Sequence, residues 1–231
     1  LILMTDTILL DFDGVLFKNN RVHEYIKHKS VKFLRNNDRF KKHFSHGVET
    51  YEMASKINEI GYKTMGHTSM LIDKSTKAVL DYNDYVFDEY TLSFTRKSLT
   101  TDDFKLMNDV AHCLQRTNKH IGLFTNAPIR YCATILDSLS QDMDLRHEFY
   151  SNAFTSDTGL VKPDLKFYET VDKALYSSEH ETSTEIYFID DTLLNITKVF
   201  EHRKSFENKW FPICINSKTS LVDYLECLSE N

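Results

Sequence analysis

The chain has 231 residues, of which 41% are hydrophobic and 27% are charged, and its formal net charge is −6. This composition suits one substantial α/β core or a core plus a modest second unit, and it argues against wholesale disorder. The acidic balance and the lack of a long basic run argue against a nucleic acid or an anionic membrane as the main partner.

Four short apolar runs along the chain are rich in β-branched and aromatic residues. They are TILLDF (7–12), HIGLFT (120–125), EIYFID (185–190) and FPICIN (211–216). Each run has the length of a strand and is unbroken rather than alternating, which is typical of strands covered on both faces in a parallel sheet. Helical periodicity over 106–117, 131–140 and 165–176 lies between them. Strands that alternate with helices predict a doubly wound α/β fold.

Residues 18–95 interrupt this alternation with helix-like, polar and charged sequence, and they contain no convincing buried strand. An insertion of this length after the first strand is too long for a loop. The sequence therefore predicts a small helical domain at 18–95, inserted into an α/β core formed by residues 1–17 and 96–231.

Pairs of polar residues lie at the ends of three of the predicted strands. They are Asp11 and Asp13 for the first strand, Thr125 and Asn126 for the second, and Asp190 and Asp191 for the third. A further charged residue, Lys162, precedes a predicted helix. Because ligands of open α/β sheets bind beyond the carboxyl ends of the strands, we expect all of these residues to converge on one site.

Four carboxylates crowded at such a site need a cation. Two like charges about 4 Å apart repel by roughly 4 kcal/mol at an effective dielectric constant near 20. Oxygen ligands favour Mg²⁺ over zinc, and Lys162 supplies only part of the positive charge. Thr125 and Asn126 offer hydroxyl and amide groups suited to phosphoryl oxygens. Together these groups predict a phosphoryl-transfer site.

Four segments resemble, in order, the signature motifs of the haloacid dehalogenase superfamily: LDFDGVLF, LFTNAP, GLVKPDLKFYE and YFIDDTLLNI. Within that superfamily, the sequences of these motifs are similar to those of the pyrimidine 5′-nucleotidase branch. The segment EIGYKTMGH (59–67) resembles the Gly-x₄-Gly segment in the cap of that branch. The resemblance implies a Rossmann-like, three-layer core built on a parallel sheet, with an all-helical cap inserted after the first motif.

The resemblance also implies a role for each matching residue. Asp11 matches the catalytic nucleophile, and Asp13 matches the general acid and base; this division splits one hard displacement into two steps. Thr125 and Asn126 match the phosphate-binding motif. Lys162 matches the lysine that neutralises the nucleophile and the phosphoryl oxygens of the substrate.

The resemblance implies a Mg²⁺ site as well. Its ligands would be the Asp11 carboxylate, the backbone carbonyl of Asp13 and an acid of the fourth motif. Alignment of DDTLLN with that motif places Asp191 at the direct-ligand position and Asn195 at the final position. Asp190 is the second candidate for the acidic ligand, which would bind the ion directly or through water.

The expected activity is Mg²⁺-dependent hydrolysis of small phosphomonoesters through an aspartyl phosphate, with pyrimidine nucleoside 5′-monophosphates as the first substrates to test. A sugar-phosphate phosphatase, a phosphomutase and a catalytically silent binding module on the same fold stay open as alternatives. The presence of Asp13 favours a phosphatase over a dehalogenase. The oligomeric state is open.

The cysteines and the N-terminal residues bear on the compartment. Cys113, Cys132, Cys214 and Cys227 form no Cys-x-x-Cys pair, which predicts reduced thiols rather than a zinc site or a disulfide framework. The segment LILMTDTILL lacks a basic region and a cleavage site, and Asp6 interrupts its apolar run. We therefore expect neither a signal peptide nor a membrane span, and a cytoplasmic location.

Overall fold

The computed structural model describes residues 6–38, 50–65, 68, 79–139, 143–176, 185–216 and 220–229. The chain forms two compact units. The sheet unit comprises Leu1–Lys18, Thr101–Thr125 and Ser140–Asn231, and the helical unit comprises Asn19–Thr100 and Asn126–Leu139.

A parallel sheet forms the centre of the sheet unit, and its strand order is β3-β2-β1-β4-β5. The strands are β1 (Thr7–Leu10), β2 (His120–Phe124), β3 (Ala153–Phe154), β4 (Glu185–Asp190) and β5 (Lys209–Cys214). All four residues of the central strand β1 are buried, which explains why its sequence does not alternate between polar and apolar residues.

The helices alternate with these strands along the sheet unit and continue through the helical unit. In chain order they are α1 (Asn20–Asn36), α2 (Tyr51–Met65), α3 (Val79–Val86), α4 (Glu89–Ser98), α5 (Thr101–Gln115), α6 (Ile129–Leu139), α7 (Met143–Ser151), α8 (Leu165–Leu175), α9 (Leu193–His202) and α10 (Leu221–Ser229).

The predicted Rossmann-like α/β fold is confirmed, and each of the four predicted strands lies within two residues of an observed one. Strand β3 has no counterpart among the predicted strands, because two residues are too few to form a recognisable apolar run. The three predicted helical segments correspond to α5, α6 and α8.

The strand order determines where a ligand site can form. Strands β2 and β3 lie on one side of β1, and strands β4 and β5, which come later in the chain, lie on its other side. Sites of doubly wound folds lie at the carboxyl ends of the strands where the order reverses. Asp11 directly follows β1, and its backbone N–H donates to the Ile189 carbonyl of β4 at 2.9 Å.

An aromatic core, defined as Phe124, Phe167, Tyr168, Phe188 and Trp210, packs between the sheet and helices α8 and α9. Phe124 meets Tyr168 edge to face, with ring centroids 5.1 Å apart and an interplanar angle of 88°. Such pairs contribute about 0.5–1.5 kcal/mol beyond the burial of their surface. The core therefore holds α8 in a defined orientation on the sheet.

Asp172 connects α8 to the beginning of β5. Its buried carboxylate accepts hydrogen bonds from the Glu207 N–H at 2.7 Å, from the backbone and side chain of Asn208 at 3.2 and 3.0 Å, and from Trp210 Nε1 at 2.8 Å. A buried carboxylate is tolerated when donors surround it in this way. The α8 helix is thus attached to the sheet by polar contacts as well as by the aromatic core.

In the helical unit, the described residues of 19–100 and 126–139 form α1 to α4 and α6. Lys29 of α1 lies with Nζ 2.6 Å from Asp88 Oδ1, and Asp88 caps α4 by accepting from the Thr91 N–H at 2.9 Å. Helix α6 packs against α4, and the ring of Tyr131 on α6 contacts that of Phe87.

These contacts account for the presence of residues 126–139 in the same compact unit as 19–100, although residues 126–139 are predicted to belong to the core. The domain boundaries at 18 and 95 and the function of this unit as a cap stay predictions.

The four cysteines form no disulfide in this structure, and their reduced state stays a prediction. Of the helices in the described part of the chain, none combines the length and the apolar character needed to cross a membrane. The cytoplasmic location stays a prediction.

Candidate active site

Lys162 and Asp11 form a buried ion pair at the carboxyl edge of the sheet. Lys162 Nζ lies 3.1 Å from Asp11 Oδ1, and the two residues are only 3% and 8% exposed. Asp11 Oδ1 also accepts from the Phe12 N–H at 2.8 Å, and the Thr125 side chain hydrogen-bonds to the same carboxylate. These contacts fix the orientation of the Asp11 side chain.

Asp190 is the second acid that Lys162 contacts, and it is completely buried. Its Oδ2 accepts from Lys162 Nζ at 2.5 Å and from Asn195 Nδ2 at 3.0 Å. Its Oδ1 accepts from the Thr192 N–H at 2.7 Å. Both oxygens of Asp190 therefore already accept hydrogen bonds, and the carboxylate orients the lysine.

The Lys162 ammonium is also bound from the side of the aromatic core. It donates to the Phe124 carbonyl at 2.7 Å and lies 5.2 Å from the ring centroids of both Phe124 and Phe188. Burial lowers the pKa of Lys162, but Asp11 and Asp190 outweigh burial, so that the pKa is raised. The lysine therefore carries its charge at neutral pH.

Asp11 lies in a region with more negative than positive charge. Burial raises the pKa of Asp11 to about 7; Lys162 and the hydrogen bond from Thr125 oppose this effect, whereas Asp190 and Asp13 add to it. Asp13 belongs to the turn that follows Asp11, where it pairs with Phe17 in a β-bridge. Lys162 thus faces two buried carboxylates, those of Asp11 and Asp190, at this edge of the sheet.

Asp191 is the most exposed acid of the cluster, and its carboxylate lies over Gly14. A Cβ atom on Gly14 would lie 2.0 Å from Asp191 Oδ2, so that only glycine leaves room for the carboxylate there. Carboxylate oxygens of Asp11, Asp190 and Asp191 lie within 4.8 Å of one another. Burial and the charge of Asp190 raise the pKa of Asp191.

Most of the residues that the sequence predicts for the site lie together in the sheet unit. They are Asp11, Asp13, Thr125, Lys162, Asp190 and Asp191. Asn126 is half-buried and belongs to the helical unit, and its contact with a phosphoryl group stays a prediction. Residues 66 and 67 of the Gly-x₄-Gly segment lie outside the described residues.

Sequence reasoning missed three groups that complete the site: the Phe124 carbonyl, the Thr192 N–H and the Tyr168 hydroxyl. The first two are backbone groups, which leave no trace in residue type. Tyr168 donates to the Asn195 carbonyl at 3.3 Å. In the sequence, the helical periodicity around Tyr168 indicates only that this residue lies on the buried face of α8.

One of the comparisons with known proteins shows the family of this chain. The profile of the haloacid dehalogenase-like hydrolases matches residues 5–197, and the chain therefore belongs to this family of hydrolases. Among solved structures, the chain is similar to one described as the crystal structure of a dehalogenase, with 13% identity, a TM-score of 0.44, and coverage of 97% of this chain and 92% of that chain. The comparison with curated proteins found no match.

Substitution of Gly14 should displace Asp191 selectively. Gly14 and Gly159 both adopt positive φ angles, +82° and +79°, so that alanine at either position should cost about 1–2 kcal/mol of stability. A Cβ at Gly159 meets nothing within 4 Å, whereas one at Gly14 meets the Asp191 carboxylate.

We therefore expect similar losses of stability in Gly14→Ala and Gly159→Ala, measured by urea unfolding, but a displaced Asp191 carboxylate in crystals of Gly14→Ala alone. An unmoved Asp191 in that variant would contradict the interpretation.

Proposed function

We propose that this hydrolase is a phosphatase that acts on small phosphomonoesters and forms a covalent phosphoryl intermediate on Asp11. The observation that carries the proposal is the buried contact between Asp11 and Lys162 at the carboxyl edge of the sheet. A carboxylate held in one orientation can attack phosphorus in line, and a fixed ammonium beside it offsets negative charge on the phosphoryl oxygens.

The proposed reaction has two displacements. In the first, a carboxylate oxygen of Asp11 bonds to phosphorus while the bond from phosphorus to the leaving oxygen breaks, and Asp13 donates a proton to that oxygen. In the second, Asp13 takes a proton from water, the water oxygen attacks phosphorus, and Asp11 is released with free phosphate. One carboxyl group thus serves as acid and then as base.

The donor set at this edge fits Mg²⁺, which prefers oxygen ligands and binds through one or two carboxylates. The Asp11 and Asp191 carboxylates and the Asp13 carbonyl would hold the ion. Asp191 is a better candidate than Asp190, because Asp190 already accepts three hydrogen bonds. When bound, the ion would neutralise negative charge on the phosphoryl oxygens.

Pyrimidine nucleoside 5′-monophosphates are the proposed substrates. The support is the sequence of the four motifs, which is similar to that of the nucleotidase branch of the superfamily. Asp13 supports phosphatase over dehalogenase chemistry, since a leaving alkoxide needs a proton and a leaving halide does not.

Asp11→Asn should abolish hydrolysis, because the amide lacks the nucleophilic oxygen. We expect the kcat for p-nitrophenyl phosphate in the presence of Mg²⁺ to fall by at least about a thousandfold. Asp102→Asn, the same change at an exposed residue of α5, is the matched control and should retain the wild-type rate. If Asp11→Asn hydrolyses the ester as fast as the wild type, Asp11 is not the nucleophile.

Removal of the metal should stop hydrolysis reversibly. Excess EDTA should reduce phosphate release to background, and added Mg²⁺ should restore it. Asp191→Asn should raise the Mg²⁺ concentration for half-maximal activity by at least about tenfold, because even indirect partners of metal sites have effects of that size. Undiminished activity in excess EDTA would rule out the Mg²⁺ mechanism.

A substrate panel should separate the proposed substrates from the alternatives. With UMP, CMP, purine monophosphates, sugar phosphates and phospho-amino acids compared under the same conditions, we expect the highest kcat/KM for UMP or CMP. A preference for sugar phosphates would overturn the substrate assignment and leave the chemistry intact. A requirement for a bisphosphate activator would instead indicate a phosphomutase.

A further inference from the structure

The Tyr168 hydroxyl is held in place by the aromatic core. Tyr168 is fully buried on α8, and its ring packs edge to face against Phe124 at 5.1 Å and Trp210 at 6.2 Å. The hydroxyl donates to the backbone carbonyl of Asn195, on the first turn of α9, at 3.3 Å. The packing therefore fixes the position of the hydroxyl, and the hydroxyl in turn contacts α9.

Asn195 continues this contact to the charged groups of the site. Its side chain is 6% exposed, and its Nδ2 donates to Asp190 Oδ2 at 3.0 Å. The same oxygen accepts from Lys162 Nζ at 2.5 Å. A continuous series of contacts therefore runs from Tyr168 through Asn195 and Asp190 to Lys162.

Tyr168 connects helices α8 and α9, which follow Lys162 and Asp190 in the chain, respectively. Helix α8 begins at Leu165, three residues after Lys162, and α9 begins at Leu193, three residues after Asp190. The hydrogen bond from Tyr168 therefore fixes the first turn of α9, from which the Asn195 side chain reaches Asp190. Phenylalanine at position 168 would keep the packing and lose this bond.

We propose that Tyr168 is a positioning residue for the Lys162–Asp190 pair and acts through Asn195. The inference rests on the proposed function, in which Lys162 offsets charge as Asp11 attacks phosphorus. Charge on the phosphoryl group is redistributed in the transition state, so that an accurately placed lysine contributes most there. Tyr168 itself does not contact the reacting atoms.

Tyr168→Phe should lower kcat and kcat/KM about three- to tenfold, with KM changed less than twofold, as expected when an interaction matters mainly in the transition state. Tyr82→Phe is the matched control, because Tyr82 is also fully buried and its hydroxyl bonds Ser30 Oγ at 2.7 Å in the helical unit. It should lower stability by a similar amount and leave kcat unchanged. A wild-type kcat in Tyr168→Phe would overturn the proposal.

A double-mutant cycle tests the route through Asn195. Asn195→Ala should lower kcat, and Tyr168→Phe in that background should change kcat by less than twofold, because the Asn195 amide that connects the Tyr168 contact to Asp190 is gone although the backbone carbonyl remains. Additive effects of the two substitutions on kcat would contradict a route through Asn195.

A readout that does not depend on activity separates failure of this inference from failure of the proposed function. The side-chain amide signal of Asn195, identified by NMR from its loss in Asn195→Ala, should shift in Tyr168→Phe and stay in place in Tyr82→Phe. An unshifted signal overturns the positioning role, whereas a wild type that does not hydrolyse any phosphate ester overturns the proposed function.

Discussion

The buried ammonium of Lys162 is the constraint on which the arrangement of this sheet edge depends. A buried ion is expensive to remove from water, by several kcal/mol, unless charged and polar partners surround it. Here the partners come from three neighbouring strands: Asp11 after β1, the Phe124 carbonyl of β2, and Asp190 at the end of β4. The ends of these strands must therefore meet at one point, and the register of the parallel sheet brings them there.

The same constraint separates the roles of two consecutive acids. Asp190 faces the lysine, and donors from Lys162, Thr192 and Asn195 occupy both of its oxygens. Asp191, one residue further, lies at the surface over Gly14, with a partly exposed carboxylate. Asp190 thus holds the buried lysine in place, while the carboxylate of Asp191 stays partly exposed. Identical side chains are in different environments because their neighbours differ.

The sequence predicts the parts of this structure that leave a local signal. Unbroken apolar runs predict four strands, and the polar residues at the ends of three of them predict the acids of the site. The motif resemblance ranks Asp191 ahead of Asp190 as a metal ligand, but residue type alone could not show that Lys162, Thr192 and Asn195 all donate to Asp190, since this depends on the fold. Likewise, the periodicity of 131–140 predicts a helix with an apolar face, but it cannot indicate that α6 packs with α4.

Tyr168 could not be predicted as a site residue for a related reason: its ring follows the apolar pattern of α8, and only the tertiary structure brings its hydroxyl to α9. That position depends in turn on Asp172, one helical turn further along α8. Asp172 is held by Asn208 and Trp210 at the beginning of β5. Because α8 follows Lys162, contacts near β5 help to position this lysine. The accuracy of the site therefore derives from the packed core, which moves less than surface loops do.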